Sequence, residues 1–160
     1  MSADRSARLG LPYLAAGQMQ KHVTLNEALT RLDVLVQAAV VSRTTTDQPA
    51  AAQDGDIYIL PPGAIGTVWS AQSPGALMRA EGGGWTMIPV QDGMIVLIQD
   101  ADELLLFDAG DWLPLGQRLG AVQVLKRFGL GTTADAENPF AAKLNKALWT
   151  ALETSGGGDG

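Results

Sequence analysis

A chain of 160 residues with 46 % hydrophobic side chains has the length of one ordinary domain, can bury a core, and is too apolar to stay disordered. A net charge of −6 without any block of lysine or arginine argues against a nucleic-acid partner, and the absence of cysteine excludes disulfides and thiolate zinc sites. Nineteen glycines and eight prolines signal many turns, and so short strands more than long helices.

No stretch approaches the roughly 20 apolar residues of a membrane span, and residues 1–10 lack the apolar core of a signal peptide. No membrane partner is expected, and synthesis is expected in the cytoplasm.

Residues 1–23 read as an N-terminal arm. Its first twelve residues are polar and mixed in charge, as in a fraying terminus, with ordering on a partner as the alternative. Residues 24–43 read as an amphipathic helix. Thr24 and Glu27 have the spacing of a capping box. Leu25, Leu29, Leu32 and Val36, continued by Val40, recur at helical period and form one apolar stripe. Such a stripe must dock on the protein's own sheet or on a neighbouring subunit, which makes Leu25, Leu29, Leu32 and Val36 the candidate assembly residues.

Thr44 to Pro49 stop the helix, and residues 44–120 read as an antiparallel β domain. Strands are expected over 55–60, 67–70, 76–80, 85–90, 94–99, 104–107 and 112–115, separated by glycine, proline and aspartate. The domain contains two related units. Gln53-Asp54-Gly55 and Gln91-Asp92-Gly93 each open a strand, and each unit later reaches a glycine turn, a tryptophan and a proline: Trp85 with Pro89, Trp112 with Pro114. Residues 121–154 read as a helical and linker region, with Leu144, Leu148 and Leu152 spaced for a helix over 141–152. Residues 155–160 read as a flexible tail.

Little points to catalysis. His22 is alone and lacks the spacing of a zinc site. No serine sits in a nucleophile elbow, and Gly82-Gly83-Gly84 is not followed by the lysine of a phosphate loop. Asp54, Asp56, Asp92, Asp100, Asp102, Asp108 and Asp111 sit where turns need aspartate. No catalytic residue, metal site or cofactor is assigned. Trp69, Trp85 and Trp112 have two readings: core of a small β domain, or a platform on which sugars stack.

The segment Leu11-Pro12-Tyr13-Leu14-Ala15-Ala16-Gly17-Gln18-Met19-Gln20-Lys21-His22-Val23-Thr24-Leu25-Asn26-Glu27-Ala28-Leu29 resembles the opening of a bacterial family of unknown function whose members occur in prophages and gene transfer agents. Asp54-Gly55-Asp56-Ile57-Tyr58 and Gly110-Asp111-Trp112 match it in style. The resemblance covers roughly residues 9–115. It implies a virion surface protein such as a tail-fibre or head-spike component, without an established enzymatic activity. Members are often longer, continuing into a further β domain, so a separate distal polypeptide is expected here.

The expectation is thus an α+β fold. An N-terminal amphipathic helix packs near a small antiparallel β barrel or sandwich, and a C-terminal helical segment follows. The expected function is structural, in a phage-like particle such as a gene transfer agent. The chain would be base or adaptor of a head spike joining capsid to a distal fibre, assembled on the particle surface. Expected partners are a major capsid or vertex protein, a distal spike or fibre protein, and further copies in a homo-oligomer. The alternative is a carbohydrate-binding module of a tail or spike fibre that recognises host surface glycan through Trp69, Trp85 and Trp112. A cell-wall hydrolase is a third reading, needing two positioned carboxylates.

Overall fold

The structure, a computed structural model, describes residues 4–15, 21–119 and 124–148. The chain divides into two compact units, Met1–Leu119 and Gly120–Gly160.

In the first unit, residues 4–15 form an ordered arm and not a frayed end. Arg5 and Pro12 make an antiparallel bridge, Ser6 N–H donates to Leu11 O (2.9 Å), and Tyr13 N–H donates to Asp4 O (2.7 Å). The arm is held on helix α1 (Lys21–Leu35) by Asp33, which is fully buried. The Asp33 carboxylate accepts from Ser6 Oγ (2.6 Å), Leu9 N–H (2.7 Å) and Arg8 N–H (3.1 Å). The Arg8 guanidinium covers the far end of the helix and donates to the carbonyls of Asp33 (2.5 Å) and Gln37 (2.8 Å). The first is among the carbonyls a helix leaves unpartnered at its C-terminus, where a cation also opposes the helix dipole, and the second lies just past the helix end. Residues 16–20 of the expected arm lie outside the described residues.

The expected amphipathic helix over 24–43 is corrected in both extent and face. Helix α1 ends at Leu35, Gln37 takes φ +49°, and the chain passes directly into strand β1 (Ala39–Val40). The buried residues of α1 are Asp33 and Val34, whereas Leu25, Leu32 and Val36 are 45, 48 and 38 % exposed. The helix docks through a carboxylate satisfied by the arm, and strand pairing takes Val40 into the core. Apolar periodicity carries neither signal.

The first unit is built mainly from strands. Strands β2 (Ile57–Ile59), β3 (Leu77–Glu81) and β4 (Gly84–Ile88) form an antiparallel sheet in the order β2-β3-β4. Strands β5 (Ile95–Ile98), β6 (Glu103–Asp108) and β7 (Asp111–Pro114) form a second meander, extended by β1 pairing parallel to β5. One extended segment serves both sheets. After β1, Val41 N–H donates to Ile57 O (2.8 Å) and Ile59 N–H donates to Ser42 O (3.2 Å).

Both sheets are open. This corrects the expected barrel, and helical content among the described residues is small: α1, the single turn α2 (Leu115–Arg118) and a 3-10 helix (Trp69–Ala71). Pro89 follows β4 and Pro114 ends β7, and a proline offers no N–H to a further strand.

The two meanders share their detail. Gly55 and Gly93 take φ +93° and +92° before β2 and β5. Asp54 Oδ1 accepts from Gly82 N–H (2.8 Å) in the β3–β4 turn, and Asp92 Oδ1 accepts from Ala109 N–H (3.0 Å) in the β6–β7 turn. Each Asp-Gly turn therefore ties the start of its meander to the hairpin that follows.

Ile57, Ile59, Leu77 and Ile88 of the first meander share a core with Val96, Ile98 and Leu105 of the second and with Val34, Ala38 and Val40. Burying each valine, leucine or isoleucine of this set contributes about 1.5–3 kcal/mol. On the other face of the first sheet, Tyr58, Leu60, Met78 and Trp69 form a second cluster. The strand expected at 67–70 is instead a turn entering a 3-10 helix (Trp69–Ala71), because Gln48 Oε1 accepts the N–H groups of Val68 (2.9 Å) and Trp69 (3.1 Å).

In the second unit, described over 124–148, β8 (Phe128–Leu130) and β9 (Phe140–Ala142) pair in parallel, and the rings of Phe128 and Phe140 stack 6.0 Å apart. This corrects the expected C-terminal helix. Lys143 N–H donates to Leu130 O (2.8 Å), so strand pairing overrides the helix propensity of the alanine- and leucine-rich segment. None of residues 124–148 is buried. The remainder of the expected helix and the tail 155–160 lie outside the described residues.

Candidate functional site

Two surfaces of the first unit stand out, and the first is the outer face of the second meander. Ile95 pairs with Leu106 and Leu106 with Leu113, while Leu97 pairs with Leu104 and with Ala39. Directly paired residues point to the same side of a sheet, so these six residues form two adjoining rows without a charge. The rows end at Asp108 and Asp111, where Arg118 forms an ion pair with Asp108.

Pairing register makes this face the counterpart of a buried one. Ile57, Ile59 and Leu77 hold in the first meander the places of Ile95, Leu97 and Leu104 in the second. The first three are 0, 5 and 0 % exposed; their counterparts are 47, 39 and 47 % exposed. Contiguous apolar surface of this kind marks interaction sites on soluble proteins.

The stripe residues Leu25, Leu32 and Val36 are also exposed, with Leu29 half-buried. They belong to α1 and not to the open sheet face.

The three tryptophans do not meet as one platform. Trp69 is fully buried, with Tyr58 and Trp85 packed against it at centroid distances of 5.4 and 4.9 Å and tilted or edge-on geometry. Trp112 lies on the second meander, packs against Phe107 at 5.0 Å, and donates from Nε1 to Gly75 O (3.0 Å). That bond ties β7 to the loop before β3. Burial removes the ring faces of Trp69 from any sugar, while Trp85 and Trp112 are half-buried.

The second surface is a groove of about 670 Å³ between α1 and the β3–β4 hairpin. Arg79 of β3 and His22 of α1 reach it from opposite sides. The hydroxyls of Tyr13 and Thr30, joined at 2.7 Å, add a polar patch. Glu27 and Arg31 line the helix side, and Glu81 lines the strand side.

Neither the open face nor Arg79 figures among the residues singled out by the sequence. A signal was present: aligning the two units on their glycine-turn-tryptophan ends sets Arg79 against Leu106. Among the described residues no group of three or more metal-ligating side chains comes together, and no helix is long and apolar enough to cross a membrane.

No curated protein matches the chain. A family model for a protein of unknown function, DUF2793, matches residues 25–113, which takes in most of α1 and both meanders up to Leu113. With more than half of its length matched, the chain belongs to the DUF2793 family of proteins of unknown function.

Proposed function

We propose that this chain is a structural subunit of a phage-like particle, a base or adaptor that carries a distal fibre. It assembles by packing the open face of β5, β6 and β7 against the same face of a second copy. The supporting observation is that Ile95, Leu97 and Leu104 are left half-exposed on a face whose counterpart, Ile57, Ile59 and Leu77, is sealed in the core. Water contact with these side chains is costly, and a second sheet at the usual spacing of about 10 Å removes it. A like face suits the role, because its aliphatic rows bring no carboxylates together although each copy carries a net charge of −6.

The particle context comes from the resemblance of residues 11–29 to a family found in prophages and gene transfer agents. A capsid or vertex protein and a distal fibre protein are the partners of this reading. The test is electron cryo-microscopy of particles from cells with the gene, without it, and with the Leu97→Asp/Leu104→Asp variant. Loss of one defined projection in the second and third samples supports the reading. Unchanged particles in both overturn it.

A further inference from the structure

Arg79 is the anomaly of the first meander. It sits mid-strand on the core-facing side, between Ile57 and Thr86, where the second meander has Leu106 between Ile95 and Leu113. It is 2 % exposed. Its Nη1 donates to the half-exposed Glu81 carboxylate at 2.5 Å, and its Nε finds no acceptor among the described residues. A buried guanidinium with an unfilled donor is destabilising unless a further acceptor satisfies it. The guanidinium lines the groove beneath α1, and across it the buried Nδ1 of His22 is likewise without a partner among the described residues.

We propose that this groove binds a ligand bearing a single carboxylate group, with Arg79 as its anchor. A guanidinium offers paired N–H donors in the plane of a carboxylate, and Nε belongs to the edge that Glu81 leaves open. The ionised side chains of the groove balance, Arg31 and Arg79 against Glu27 and Glu81. Each negative charge a ligand brings is repelled by Glu27 and Glu81, so a dianionic phosphate is disfavoured more than a monocarboxylate. Val23, Ile88 and Pro89 provide an apolar wall for the ligand's body, Ile88 lying on the same sheet face as Arg79. Free organic acids and acidic sugar residues share this chemistry. The site is independent of the assembly reading, whose open face belongs to β5, β6 and β7.

The test is a calorimetric or NMR titration of the full chain with acetate, glucuronate, glucose and inorganic phosphate. Saturable binding of a carboxylate, with glucose and phosphate at least ~10-fold weaker, supports the proposal. Glucuronate binding tighter than acetate assigns a sugar acid, and equal binding assigns free acids. Arg79→Leu, which installs the side chain that Leu106 supplies in the second meander, weakens carboxylate binding by ~10-fold or more without lowering the thermal midpoint. Thr86 is exposed and pairs directly with Arg79, so Thr86→Glu supplies a carboxylate from within and blocks the ligand even if the leucine variant fails to fold. The proposal is overturned if no carboxylate saturates the wild type, if glucose or phosphate binds as tightly, or if both variants bind unchanged.

Discussion

Ser6 Oγ donates a 2.6 Å hydrogen bond to Asp33 Oδ1 across 27 residues of chain, and this contact fastens the N-terminal arm to the buried carboxylate of α1. Two backbone N–H groups, from Arg8 and Leu9, complete its shell. Hydrogen bonds to a buried charge are among the stronger ones, and stranding their donors adds desolvation cost. Asp33→Ala should therefore lower unfolding stability by about 1.5–3 kcal/mol. Urea unfolding measures it, and an unchanged midpoint would show that the arm is not held this way.

The twin glycines provide a controlled comparison. Gly55 and Gly93 share a positive φ, but a Cβ on Gly55 would lie 2.9 Å from Ala7 Cβ and 3.0 Å from Arg8 Cγ, whereas one on Gly93 meets nothing within 4 Å. Gly93→Ala should cost about 1 kcal/mol of backbone strain. Gly55→Ala should cost about 1–3 kcal/mol more, because the arm must also give way. Equal losses would place the arm elsewhere.

Tyr58 should make the first unit sensitive to alkali. Burial, and secondarily the Asp56 charge, hold its phenol above the ordinary tyrosine range. The neutral phenol is thus favoured in the folded chain, so its stabilisation is complete below the ordinary tyrosine pKa. It is lost as pH rises from there through the folded-state value. Tyr58→Phe should flatten the decline of the melting temperature over that range and leave the neutral-pH curve with the same shape. Identical alkaline declines in both proteins would refute it.

The tryptophans should respond unequally. Trp112→Phe removes the Nε1–Gly75 bond and strands a carbonyl, a loss of about 1 kcal/mol before packing is counted. Trp69 Nε1 has no acceptor among the described residues, so Trp69→Phe forfeits packing alone. Thermal unfolding of both variants separates the two terms, and a larger hydrogen-bond loss at Trp69 would contradict the assignment.

Much of the β region was legible because its punctuation is chemical. Asp54-Gly55, Gly82-Gly83, Asp92-Gly93 and Ala109-Gly110 fall at turns whose positive φ values glycine supplies, save the one that Ala109 takes, and the strands between them lie within a residue or two of the expected spans. Burial was not legible. Ile57-Tyr58-Ile59 and Ile95-Val96-Leu97 have nearly the same pattern, yet Ile57 and Ile59 face the other meander and are sealed while Ile95 and Leu97 face away from it and are open. The buried face of α1 was hidden for a related reason: an apolar stripe reports what could be buried, while Asp33 is buried by donors from a distant arm. At the C-terminus, residues 140–142 have helix-forming alanines, but their partner strand at Phe128 is invisible to local propensity.

The central claim is that the open face of β5, β6 and β7 meets a second copy, and sedimentation equilibrium of the full chain tests it most directly. The wild type should sediment as a multiple of the chain mass, and Leu97→Asp/Leu104→Asp should sediment as a folded monomer whose melting temperature no longer depends on protein concentration, since both positions are half-exposed in the single chain. A wild type that stays monomeric at high concentration, or a double variant that associates as strongly as the wild type, would contradict the account.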